Sequence, residues 1–96
     1  MIVRLEGHSV ILKCDERASF GFGVYQSGPG VFEIANIILQ GAAYRNGMIR
    51  LGDIVTSING QLITEDTTMN MFTDMMRKSE DTVKLILSSR PHLLGR

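Results

Sequence analysis

The 96-residue chain carries no surplus of charge of either sign: ten Lys and Arg stand against ten Asp and Glu, for a net charge of zero. That balance removes the electrostatic case for nucleic acid or an anionic membrane surface, both of which call for a basic patch or stripe. Cysteine is nearly absent. Cys14 stands alone, so no intrachain disulfide can form, which suits a reducing cytosol. At the end of an apolar run it reads as a small buried hydrophobe rather than a nucleophile. No apolar run approaches the roughly 18–20 residues of a membrane span, and the first residues lack the long apolar stretch of a signal peptide, so the chain reads as soluble. Histidine is scarce as well. His8 and His92 lie in the two end segments with no carboxylate or nucleophile at a recognisable spacing. Neither a triad nor a metal site can be argued from them, so the expectation is a non-enzyme without cofactor or metal. At 44% hydrophobic residues, the chain can bury one modest core but not two lobes.

What the sequence does have is glycine in a telling place. Residues 20–24 read Phe-Gly-Phe-Gly-Val, two alternating glycines between apolar residues. Gly21 and Gly23 can take conformations closed to residues with side chains, so that successive main-chain N–H groups turn inward and hold a carboxylate. Phosphate is the rival ligand. A dinucleotide fingerprint needs a third glycine opening a helix and a phosphate loop needs Gly-Lys-Ser/Thr, whereas Val24-Tyr25-Gln26 follows here. The loop instead runs into a strand.

Along the chain, residues 9–14 are a β-rich run and Asp15-Glu16-Arg17-Ala18-Ser19 is the polar connector into the glycine loop. Ser27-Gly28-Pro29-Gly30 marks a turn, and residues 31–39, with Phe32, Ile34, Ile37 and Ile38 apolar, read as the return strand of a hairpin. Residues 42–46 suit a short helix, with Gly47 where a helix end favours a left-handed residue. Residues 53–58 form the next strand, Asn59-Gly60 a tight turn with Gln61-Leu62-Ile63 after it, and residues 82–88 the last long strand. One domain over residues 8–89 is expected, with 1–7 an N-terminal extension and 90–96 a tail or linker remnant.

The longer helix is expected over about residues 68–78. Thr68 is its N-cap after Glu65-Asp66, and Arg77-Lys78 suit its C-terminal end. At 100° per residue, Met69, Met71, Phe72, Met75 and Met76 fill one arc of roughly 160°. Met71 and Met75 are read as core filling, while Met69, Thr73 and Met76, spaced i, i+4, i+7, run along the margin that can border a groove. A register starting at Thr68 would put Phe72 and Met75 there instead.

Taken in order, Gly21-Phe22-Gly23-Val24, then Gly47-x-Ile49-x-x-Gly52-Asp53, then Ile58-Asn59-Gly60 resemble the linked motifs of PDZ domains. The resemblance covers roughly residues 8–89. It implies an α+β fold: a small, partly open antiparallel β-barrel or sandwich of five to six strands with one short and one longer helix. It also implies binding of partner proteins by their C-terminal peptides through strand addition beside residues 22–26, with the 69–78 helix as the opposite wall. The terminal carboxylate would sit on the N–H groups of Phe22, Gly23 and Val24 in the Gly21 loop. Arg17 would reach it through water, or else be a solvated loop charge. Phe22, Val24 and Met76 would line the terminal pocket, with core packing the other reading of the two loop residues.

Met69 stands where the commonest PDZ class has histidine, which implies a hydrophobic-x-hydrophobic-carboxylate preference because a thioether cannot hydrogen-bond a Ser or Thr. Gln26 points at the pocket where the family is usually aliphatic, and Tyr25 is either a peptide contact or a surface aromatic. The pattern places Asp53 and Asn59 in structural turns. The expected setting is a module of a larger cytoplasmic scaffold or signalling protein, a monomer that reaches the membrane cortex through partners such as membrane-protein tails. The alternatives are a regulatory segment of a protease and a domain that dimerises through an edge strand.

Overall fold

The computed structural model describes residues 7–15 and 19–89. Eight elements follow in chain order: β1 (Gly7–Lys13), β2 (Phe22–Gly28), β3 (Val31–Ile37), α1 (Ala42–Asn46), β4 (Ile54–Ile58), β5 (Gln61–Leu62), α2 (Met69–Arg77) and β6 (Thr82–Ser88). The strands form one antiparallel sheet in the order β1-β6-β4-β3-β2, with β5 paired to β4 off this path. This is the expected α+β architecture of six strands with one short and one longer helix.

Alternation fixes which way each strand faces. Val10 and Leu12 of β1 are buried while Ile11 and Lys13 are exposed, and across the ladder they pair with Leu85 and Val83 of β6, which are also buried. Phe32 and Ile34 of β3, Val55 and Ile58 of β4, and Leu87 complete the sheet's share of the core. Between Val55 and Ser57 the β4–β6 register slips by one residue. The extra residue is Thr56, whose hydroxyl donates to the Ile86 carbonyl at 3.1 Å, so the bulge carries its own hydrogen bond.

Both helices have legible ends. Gly47 closes α1 with φ +77° and its N–H donates to the Ala43 carbonyl. Thr68 caps α2, its hydroxyl accepting from the Met71 N–H at 3.1 Å. Phe72 is the buried residue of α2 and stacks on Phe32 of β3 with ring centroids 4.7 Å apart, which fixes the helix against the β2–β3 hairpin.

Three expectations are corrected here. The return strand β3 ends at Ile37 rather than Leu39: the Ile38 N–H still reaches the Gly21 carbonyl opposite it at 2.9 Å, but the chain then turns, the Gly41 N–H donating back to the Ile38 carbonyl at 2.9 Å. Ile38 and Leu39 are consequently exposed. Met71 does not fill the core: it is 47% exposed, its sulfur drawn toward the Thr68 N–H. Cys14 is half-buried and lines surface clefts with Asp15 and Arg45.

Candidate functional site

The glycine loop is held by its own polar residues. The Asp15 N–H donates to the Ser19 carbonyl at 2.9 Å and the Ser19 N–H donates to the Asp15 carboxylate at 3.2 Å, so Asp15 and Ser19, the two ends of the polar segment, are bonded to each other. Arg17 falls inside that segment and lies outside the described residues. Two residues beyond Ser19, the Gly21 N–H donates to the Ser19 hydroxyl at 3.0 Å, a hydroxyl turn of the kind that organises loops before a strand.

Gly21 is buried and has φ +80°. A Cβ there would also lie 2.9 Å from the Ala42 backbone nitrogen, so both conformation and space require glycine. Gly23 differs from expectation. It has no left-handed φ and belongs to β2, and the space its missing Cβ leaves is taken by the Asn36 side chain from β3. Only one of the two glycines is therefore there for its backbone angle.

Carbonyl placement decides where the loop's N–H groups point. The Phe20 carbonyl accepts from the Ala43 N–H at 3.1 Å and the Gly21 carbonyl accepts from the Ile38 N–H. In a trans peptide C=O and N–H point in opposite directions. Since the Gly21 carbonyl is directed at the segment leaving β3, the Phe22 N–H of the same peptide unit is directed away from it. Among the described residues no peptide bond is cis.

β2 lies at one end of the sheet, and among the described residues it pairs only with β3 and its other edge carries no strand. Phe22 and Val24 are half-buried and pack against the core, and Tyr25 is 61% exposed on the opposite face. Gln26 is half-buried on the face of Phe22 and Val24, and its amide donates to the Gly28 carbonyl at 3.3 Å, at the end of β2 farthest from the glycine loop.

On α2, Met69 and Met76 are half-buried against the core's edge, and Thr73 is exposed. Phe72 sits in the core, so it is not available to a surface groove. Before α2 the chain is tightly self-bonded: the Thr67 N–H donates to the Thr64 carbonyl and the Thr64 N–H donates to the Thr67 hydroxyl, each at 3.0 Å. The turn after β2 packs directly on this segment through Gly30 and Thr64. The hairpin and the start of α2 are thus braced together at one end, and the Phe32–Phe72 stack holds them further along.

Ser19 and Asn36 were missed in the sequence. A serine two residues before a glycine was a usable signal for the first. Nothing local marks Asn36, whose place beside Gly23 depends on the β2–β3 register.

The other polar residues have structural partners. The buried Asp53 carboxylate accepts from the Arg50 N–H at 3.0 Å. The Asn59 side chain accepts from the Lys84 N–H at 2.8 Å and donates to the Ser79 hydroxyl at 2.9 Å. The His8 ring nitrogen Nε2 lies 3.0 Å from the Met48 carbonyl, and His92 is outside the described residues. Among the described residues no three His, Cys, Asp or Glu side chains gather as a metal site, and no helix is long and apolar enough to cross a membrane.

Comparison with protein families matches the PDZ domain over residues 9–88. Comparison with curated proteins gives no match.

Proposed function

We propose, for a chain that belongs to the PDZ domain family of peptide-binding protein–protein interaction modules, that its ligand is the free C-terminal end of a partner protein. The peptide adds as an antiparallel strand to the open edge of β2, with α2 as the other wall. The observation that carries this reading is the Gly21–Phe22 peptide unit. Its carbonyl is engaged on the β3 side, which leaves the Phe22 N–H aimed at the side where, among the described residues, no strand pairs. Hydrogen bonds from Phe22, Gly23 and Val24 to a carboxylate are worth roughly 1.5–3 kcal/mol each. Arg17 adds a water-mediated contact.

The terminal side chain enters a pocket of Phe22, Val24 and Met76. Two residues earlier the peptide meets Met69 and Thr73, and Gln26 and Tyr25 flank the added strand. The register beginning at Met69 is supported by the Thr68 cap and by the burial of Phe72. A thioether offers apolar contact and no useful hydrogen bond to a hydroxyl, so the motif is hydrophobic-x-hydrophobic-carboxylate. The setting is a scaffold or signalling protein of the cytoplasm.

Fluorescence anisotropy with peptides ending in Val, Leu, Ile or Phe tests the reading, with an expected Kd in the micromolar range, about −7 to −8 kcal/mol. Amidating the terminus should abolish binding. Equal affinity for acid and amide forms would overturn the carboxylate site.

A further inference from the structure

The N-terminus of α2 holds a capping box of unusual chemistry. The side chain that reaches back to the N-cap N–H is ordinarily Glu or Gln, a strong oxygen acceptor. Here it is Met71, whose sulfur lies 3.5 Å from the Thr68 nitrogen, while the Met71 N–H donates to the Thr68 hydroxyl at 3.1 Å. A thioether is a weak acceptor. Met71 is also accessible: it is 47% exposed and borders a cleft of about 330 Å³ with Ile58, Met75 and Asp74. Met69, Met75 and Met76 on the same helix are half-buried against the core.

We propose that Met71 is a redox-modification site at which a peroxide converts this weak sulfur cap into a strong oxygen cap. The sulfur lone pair takes one oxygen from hydrogen peroxide as the O–O bond breaks and water leaves. The thioether is oxidised by two electrons and the peroxide reduced by two. Rotation about the Cγ–Sδ bond, free in an exposed side chain, swings the sulfoxide oxygen onto the Thr68 N–H, so the first turn of α2 frays less. A thiol-dependent sulfoxide reductase reverses the step, with the dithiol as reductant. The inference concerns the helix terminus alone and does not depend on what the neighbouring groove binds.

The test is limited peroxide treatment of the 96-residue chain carrying Met48→Leu, since Met48 is also exposed at 54%. Peptide mapping reads each methionine separately, and NMR reads hydrogen exchange at the Thr68 amide. Met71 should oxidise several-fold faster than Met69, Met75 and Met76. Exchange at Thr68 should slow by roughly three- to ten-fold, the scale of one capping bond, and return to its starting rate after reductase treatment. Met71→Gln should reproduce the slow exchange without peroxide, and Met71→Leu should exchange fast and not respond. Oxidation of Met71 at the pace of its three helix neighbours overturns the proposal. So does exchange at Thr68 that stays the same or quickens once Met71 is oxidised.

Discussion

Gly30 has φ +69°, and a Cβ there would run into the Thr64 carbonyl oxygen and lie 2.7 Å from the Glu65 Cα. Both obstacles are backbone, in a segment already locked by the Thr64–Thr67 hydrogen bonds, so neither can give way cheaply. Gly30→Ala should therefore lose about 3 kcal/mol or more by urea unfolding, combining left-handed strain with a displaced loop. Gly52→Ala is the control: φ is +88° but the space is open, and the cost should be only about 1–2 kcal/mol. Equal losses at the two positions would mean that the packing of Gly30 on Thr64 contributes nothing. Gly23 belongs at the other extreme. Its neighbour is the end of the Asn36 side chain, which can swing aside, so Gly23→Ala should fold with a loss under about 1 kcal/mol. The sequence marked Gly21, Gly23 and Gly30 alike as loop or turn glycines. It could not distinguish them, because what each would touch is decided by segments far along the chain.

At the scale of elements, the sequence was most readable where local chemistry sets the boundary. Gly47 ends α1, Thr68 opens α2, and Asn59-Gly60 make a two-residue hairpin with φ +50° and +84° at the turn. Each signal works over a few residues and needs no tertiary partner. The readings fail where a turn or a cap has no sequence signature. β3 stops at Ile37 because the chain turns and the Gly41 N–H bonds back to the Ile38 carbonyl, and Met71 turns its sulfur to the Thr68 N–H instead of the core. Asn59 joins both kinds of information, since its left-handed φ is local while its bonds to Lys84 and Ser79 tie the β4–β5 turn to β6 and to the end of α2. Asn59→Gly keeps the turn conformation and removes both bonds, so it should cost about 1–3 kcal/mol. Asn59→Ala adds left-handed strain and should be worse by about 1 kcal/mol. The reverse order in chemical denaturation would show that the turn's backbone angle is not what the asparagine supplies. On α2, Met69→His should shift peptide preference toward Ser or Thr two residues before the terminus, and Thr68→Ala should cost about 1 kcal/mol of stability with the preference unchanged. A change of preference on Thr68→Ala alone would move the register by one residue.

The whole molecule is a sheet with two ends that are not equivalent. Strand order was the least legible feature in the sequence, since β1 beside β6 and β6 beside β4 join segments that no local pattern relates. That order matters for function because it leaves β2 and β1 as the terminal strands. β1 has α1 packed against it, whereas the far edge of β2 follows directly from the glycine loop. A ligand that adds to β2 binds only the folded chain, so it must stabilise the fold by mass action. At a hundredfold excess over Kd the gain is about 2.7 kcal/mol. For a domain of this size that corresponds to a rise in Tm of about 10–20 °C. The free-acid peptide should produce this shift and the amide should not. Hydrogen exchange adds the location: amides of residues 22–26 should gain protection on binding, while those on the outer edge of β1 keep their rates. Protection appearing on β1 instead would place the added strand at the wrong end of the sheet and exclude the carboxylate loop as its anchor, even if the affinity and the Tm shift were as expected.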